Sequence, residues 1–118
     1  EFLRMVGDNP TEAERLLIGR MTAEMWTLRQ MSLSVTGELQ AGKSPAVAAS
    51  IVKDIGTTLE QAMPKEIQSI ARDDIDLSVS NPFTDVLTYL LQTAPSFSLR
   101  GGTREILRGI IARDLGLR

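Results

Sequence analysis

Acidic side chains and one glycine-rich turn are the groups in this 118-residue chain that can take part in catalysis or ligand binding. The sequence has no histidine and no cysteine, which excludes Ser-His and Cys-His nucleophiles and the common zinc sites. Four glutamates on predicted helices are candidates for acid-base work: Glu14, Glu24, Glu38 and Glu60. A general base needs a cleft that perturbs its pKa, and the sequence indicates none. We therefore expect each glutamate on a solvated helix face or in an ion pair, and we predict no metal site.

The turn Gly101-Gly102-Thr103, at the predicted start of the last helix, is a second candidate site. Glycines let another group approach the backbone closely, and the free amides of a first helical turn attract anions or carbonyl oxygens. The alternative is a flexible turn without a ligand, which is the more common role of Gly-Gly before a helix. Arg104 adds positive charge, whereas Glu105 suits the dipole of a first helical turn.

Composition and charge indicate an ordinary globular protein with one domain, residues 1–118. Hydrophobic residues make up 42% of the chain and charged residues 24%, and the formal net charge is -2, which gives no electrostatic reason to expect a nucleic-acid partner. No apolar run reaches the roughly 20 residues that span a bilayer. We expect a soluble protein without a membrane partner, and the lack of cysteine suits a cytoplasmic location.

Cap and proline signals predict the first long helix. Residues 9–12 read Asn-Pro-Thr-Glu, so we assign Asn9 as the cap, Pro10 as the first helical residue and Glu12 as the capping-box acid. The helix should end near Gly42, which can adopt the left-handed conformation. Apolar residues recur along it at helical spacing, and we expect Met21, Met25, Met31 and Trp26 to pack in the core rather than form an adaptable binding surface.

The same signals predict three further helices. Ser44-Pro45 starts the second, which forms an antiparallel hairpin with the first and is kinked or broken at Pro64 before continuing to Ile70. Residues 73–76 are expected to form a loop. Asn81-Pro82 starts a third helix that Pro95 closes, and the fourth follows the glycine turn. Four helices and no strand predict an all-α, up-and-down bundle.

The end of the chain resembles a known family. Residues 98–118 read Ser-Leu-Arg-Gly-Gly-Thr-Arg-Glu-Ile-Leu-Arg-Gly-Ile-Ile-Ala-Arg-Asp-Leu-Gly-Leu-Arg. This segment is similar to the closing signature of acyl-CoA dehydrogenases, in which Gly-Gly-Thr, an acid, Ile, a basic residue, Ile-Ile-Ala and Leu-Gly-Leu occur in this order. Residues 49–53, Ala-Ser-Ile-Val-Lys, resemble a helix that many bacterial members place after a glycine-rich turn.

The resemblance implies a helical C-terminal domain that lacks its first helix and belongs to a longer subunit. It implies α,β-desaturation of an acyl-CoA thioester, in which a carboxylate removes the α-proton and FAD accepts a β-hydride. By the family pattern, Thr103, Arg104 and Glu105 line the flavin and the backbone of Gly102 lies beside the thioester. The implied partners are the acyl-CoA substrate, an electron-transfer partner and further subunits, either identical or different. This chain alone is expected to be inactive.

The sequence departs from the family pattern in two places. Gly101 occupies the position where many members carry the catalytic glutamate, so no catalytic residue is assigned here. Residues 69–76 replace a Gln-x-x-Gly-Gly-x-Gly motif that reaches the flavin of a neighbouring subunit. These departures leave an alternative open, a non-catalytic helical oligomerisation module or a flavin-poor partner subunit.

Overall fold

The computed structural model describes residues 1–70, 76 and 78–117, and all of its regular structure is helical. Within these residues, five α-helices form a bundle: α1 (Phe2–Val6), α2 (Glu12–Gln40), α3 (Ala46–Ile70), α4 (Pro82–Thr93) and α5 (Arg104–Asp114). A 3-10 segment, Ala94–Leu99, links α4 to α5. No strand occurs among the described residues, so the prediction of an all-α fold is confirmed.

The start of α2 differs from the sequence prediction. The cap is Thr11, not Asn9, and the capping-box acid is Glu14 rather than Glu12. The Glu14 backbone amide donates to the Thr11 hydroxyl at 3.3 Å, and the Thr11 backbone amide donates to the Glu14 carboxylate at 2.7 Å. Glu14 is fully buried, so of the two expected settings, a solvated face or an ion pair, the solvated face is excluded for this residue. Its carboxylate satisfies helix-start donors that would otherwise be orphaned.

The α2–α3 hairpin forms as predicted, with a left-handed Gly42 (φ 75°) in the connection. The α3 helix begins at Ala46, one residue after Pro45, and continues without a break past Pro64. Of the kink or break predicted at Pro64, the break does not occur, and the kink stays a prediction. Pro64 is buried, and the packing of α3 on both sides of it maintains the helix although proline cannot donate a backbone hydrogen bond. The predicted loop at 73–76 lies outside the described residues except for Asp76.

The start of α4 matches the prediction, because Asn81 is the cap and Pro82 the first helical residue. The Asn81 side chain accepts from the amides of Phe83 and Thr84 at 3.0 and 3.1 Å. The helix ends at Thr93, before Pro95 as predicted, and the chain then tightens into the 3-10 segment instead of a plain loop. The side-chain amide of Gln61 donates to the carbonyl of Ala94 at 3.1 Å and ties this segment to α3.

The hydrophobic core lies at one end of the bundle, where α2, α3 and α4 meet. Its buried members are Leu17, Met21, Ile67, Phe83 and Leu87. The short α1, which the sequence analysis missed, packs Phe2 and Met5 against this cluster. Five residues are too few for a periodic signal, so only tertiary packing reveals that helix.

The expected core role of the α2 methionines and Trp26 is only partly correct. Met21 is buried, but Met25 is 48% and Trp26 61% exposed. The guanidinium of Arg29 lies over the Trp26 ring, 5.8 Å from its centroid. Only the line of α2 that faces α3 is covered, so the apolar residues beside that line remain at the surface. None of the described helices is both long and apolar enough to cross a bilayer.

Candidate functional site

The glycine turn before α5 has the backbone geometry that its sequence suggests. Gly101 and Gly102 have φ values of 68° and 103°, a region that residues with a side chain rarely adopt. A Cβ atom built on Gly101 would meet only the Lys53 side chain, at 3.9 Å. The turn therefore leaves open space beside Gly101, where another group can approach the backbone.

Thr103 and Glu105 occupy the first turn of α5 together. Thr103 is the N-cap residue, but its side chain makes no capping hydrogen bond to the helix. The pKa of the Glu105 carboxyl lies below its ordinary value because hydrogen bonds from its own backbone amide and from the Thr103 hydroxyl favour the charged form. An exposed carboxylate thus already lies at this helix start. An anionic group from outside is disfavoured here, whereas a neutral ring edge or carbonyl oxygen is compatible with the turn.

Arg104 points into the bundle toward α3. Its Nε donates to Oδ1 of Asp54 at 3.1 Å, and a terminal nitrogen donates to the Thr58 hydroxyl at 2.9 Å. Arg108, one turn later, donates from Nε to Oδ2 of Asp54 at 3.2 Å. Both guanidinium groups therefore share a single carboxylate, which fastens α5 to α3.

The Asp54 carboxylate is held in its charged form by this cluster. Partial burial alone would raise its pKa, but the hydrogen bonds from Arg108 and Arg104, with their positive charges, outweigh burial and lower it. A lowered pKa is the opposite of what a general base near neutral pH requires. Asp54 and Glu105 are thus structural anions, and among the described residues no three acidic groups are gathered as metal ligands.

Asp54, Thr58, Arg104 and Arg108, which we call the Asp54 cluster, also border a cavity with a volume of about 670 Å³. We call this cavity the trough: α3 forms its floor, α2 one wall and α5 the other. Its lining is mainly apolar and comprises Ala23, Glu24, Thr27, Leu28, Met31, Asp54, Ile55, Thr58, Leu59, Ala62, Glu66, Arg104 and Arg108. Ile55 on the floor is 45% exposed, so the trough is an unfilled apolar face.

The structure brings some of the predicted site residues together and separates one from the others. The structure brings Gly101, Gly102, Thr103 and Glu105 together at one turn, and it directs Arg104 away from them into the Asp54 cluster. The trough and the role of Asp54 were missed. The one available signal was the spacing of Arg104 and Arg108, four residues apart on one helix face, which favours a common partner.

No family model matches the chain, and neither the curated proteins nor the solved structures gave a match.

Proposed function

We propose that this chain is the C-terminal helical part of an acyl-CoA dehydrogenase-like flavoprotein, working in the cytoplasm as part of an oligomer. The observation that carries the proposal is the Gly101-Gly102-Thr103 turn at the start of α5, whose sequence resembles the family signature and whose backbone is open to close approach. In this proposal the chain contributes subunit contacts and one wall of the flavin and thioester site, and it is inactive alone.

The residues at the turn fit a neutral edge of the cofactor better than its phosphates. Gly101 and Gly102 present backbone without side chains, and Thr103 adds a hydroxyl group, so a flat ring can pack against them. The Glu105 carboxylate repels phosphate from the same turn. When bound, FAD supplies hydride acceptance during desaturation of the acyl thioester. The residues of this turn bind and orient the cofactor and the thioester. They do not remove the α-proton, because Gly101 carries no carboxylate.

The test uses the full-length product of the gene that encodes this chain. After purification it should show the visible absorption of oxidised flavin, and an acyl-CoA added without oxygen should bleach it because the flavin accepts the hydride. A series of acyl chain lengths covers the unknown substrate. Absence of flavin together with absence of bleaching across the series would refute the proposal.

The second candidate is a helical oligomerisation module without an active site, or a flavin-poor partner subunit. Gly101 at the usual position of the base and the unfilled apolar trough favour it. The coding sequence upstream of Glu1 separates the two candidates, because a flavin-binding β-domain encoded there supports the dehydrogenase and its absence supports the module.

A further inference from the structure

The chain exposes more surface than a compact protein of its mass. Its accessible area is 7949 Å² for a mass of 12.9 kDa. Folded monomers of this mass expose about 6,300 Å². The excess of about 1,600 Å² exceeds the roughly 800 Å² that each partner buries in a standard protein interface. The trough is an apolar part of this excess, so an occupant there would cover surface that the chain alone leaves in water.

The trough carries opposite charges at its two ends. One end carries a net charge of -1, from Glu24, Glu66 and the Arg20 that donates to Glu66. At the other, Arg104 and Arg108 share Asp54 and leave one positive charge. Twelve residues of α3 separate Asp54 from Glu66, which places the ends about 18 Å apart. The apolar floor lies between them.

Such a polarity is complementary to itself. A two-fold axis across the middle of the trough reverses the direction of the second copy, so each negative end meets a positive end. The Glu24 side chain has no hydrogen bond or ion pair within residues 1–70, 76 and 78–117, and Arg108 is 60% exposed. Both groups are thus available for a contact between copies.

We propose that the trough binds α2 of a second copy of this chain, with the two α2 helices antiparallel. The α2 helix has 29 residues, and along most of its length only the line facing α3 is covered. The exposed side of α2 in each copy can therefore enter the trough of the other copy. Glu24 of each copy then lies near Arg108 of the other, and the exposed Ile55 on the floor becomes buried.

This inference rests on the assembly role in the proposed function and names the surface and the partner for it. Its test reads the oligomeric state only, so loss of flavin chemistry and loss of this interface are separate outcomes.

The test is a charge swap followed by sedimentation equilibrium of the 118-residue chain. Wild type should be a dimer whose Kd rises with salt, because the rim contacts are ionic. Glu24→Arg and Arg108→Glu, each alone, should raise the Kd about tenfold or more, since each homodimer then has two like-charge contacts. An equal mixture of the two variants should restore dimerisation, because both contacts of the mixed dimer join opposite charges.

Two substitutions away from the trough provide the controls. Glu60→Arg and Arg29→Glu make the same charge changes at exposed positions and should leave the Kd within about twofold of wild type. Circular dichroism confirms that each variant is folded, and Ile55→Asp tests the floor, because a charged side chain in place of the exposed Ile55 should raise the Kd. A monomeric wild type, or swaps that act no more strongly than their controls, would overturn the proposal. Failure of the folded mixture to dimerise would overturn the antiparallel arrangement.

Discussion

Thr57 on α3 is a buried hydroxyl without a hydrogen-bond partner in the described part of the chain. The residue is 1% exposed, and its Oγ1 makes no hydrogen bond to any described residue. An unsatisfied buried polar group costs about 1 to 3 kcal/mol. We predict that Thr57→Val, which keeps the shape of the side chain, raises the free energy of unfolding by about 1 kcal/mol. Urea denaturation measures the change.

The neighbouring Thr58 is the matched control for this prediction. Its hydroxyl accepts from Arg104 and donates to the carbonyl of Asp54. Thr58→Val should therefore fail to stabilise the protein. Equal effects of the two substitutions would show that the Thr57 hydroxyl is not the cause.

Asp54 joins α3 to α5 at the residue scale, and its substitution should have a pH-dependent effect. Because its folded-state pKa lies below the ordinary value of 3.8, the carboxylate stabilises the fold above that value, and this contribution is lost as pH falls through the lowered pKa. Asp54→Asn should reduce the free energy of unfolding at neutral pH by about 1 kcal/mol. The difference from wild type should shrink below pH 3.8.

Denaturation of wild type and Asp54→Asn across this pH range provides the measurement. Asp85→Asn is a useful comparison, because Asp85 lies on α4, away from both arginines, and bonds Ser80 instead. A difference between wild type and Asp54→Asn that stays constant with pH would contradict the assigned role of the carboxylate.

At the scale of elements, α4 depends on the cap at Asn81. The Asn81 side chain accepts hydrogen bonds from two backbone amides, and the backbone amide of Asn81 donates to the Thr84 hydroxyl at 3.0 Å. Asn81→Ala should lower the free energy of unfolding by about 1 kcal/mol, whereas Asn81→Asp, which keeps the acceptor, should have a much smaller effect. Thermal unfolding distinguishes them, and equal losses would contradict a role for the capping oxygen.

The sequence predicted the long elements well because their signals are local. The pairs Asn81-Pro82 and Ser44-Pro45 lie at or within one residue of real helix starts. The first start was misassigned because Asn9 and Thr11 are both good caps, and Glu14, three residues after Thr11, selects the latter. The missed α1 and the unbroken α3 depend on packing between elements, which local patterns do not encode.

The same distinction between local signals and packing applies to the candidate site. The left-handed glycines at 101 and 102 follow from their residue type and position and were predicted as an open turn. The inward course of Arg104, its shared carboxylate on Asp54 and the trough arise from the way α5 lies across α3. Fifty residues separate Arg104 from Asp54, so no local spacing indicates that contact.

The whole molecule is elongated. Its principal extents are 50, 26 and 24 Å, and its radius of gyration is 17.5 Å. A compact domain of 118 residues has a radius of gyration of about 13.5 Å. The core occupies only the end where α1, α2, α3 and α4 meet, and the far part of α2 lies on α3 alone. Such a shape suits a chain that is completed by other protein surfaces, as both proposed functions require.

The FAD content of the full-length gene product is the most direct test of the proposed function, measured for wild type, Gly102→Val and Gly109→Ala. Valine is strained at the φ of 103° of Gly102, and its Cβ would meet the Leu107 side chain at 3.6 Å, so it distorts the turn, whereas a Cβ at Gly109 meets nothing within 4 Å. We predict stoichiometric FAD in wild type and Gly109→Ala, and loss of FAD in a folded Gly102→Val. Absence of FAD from wild type, or equal FAD in all three proteins, would contradict the assignment of the glycine turn to the flavin site.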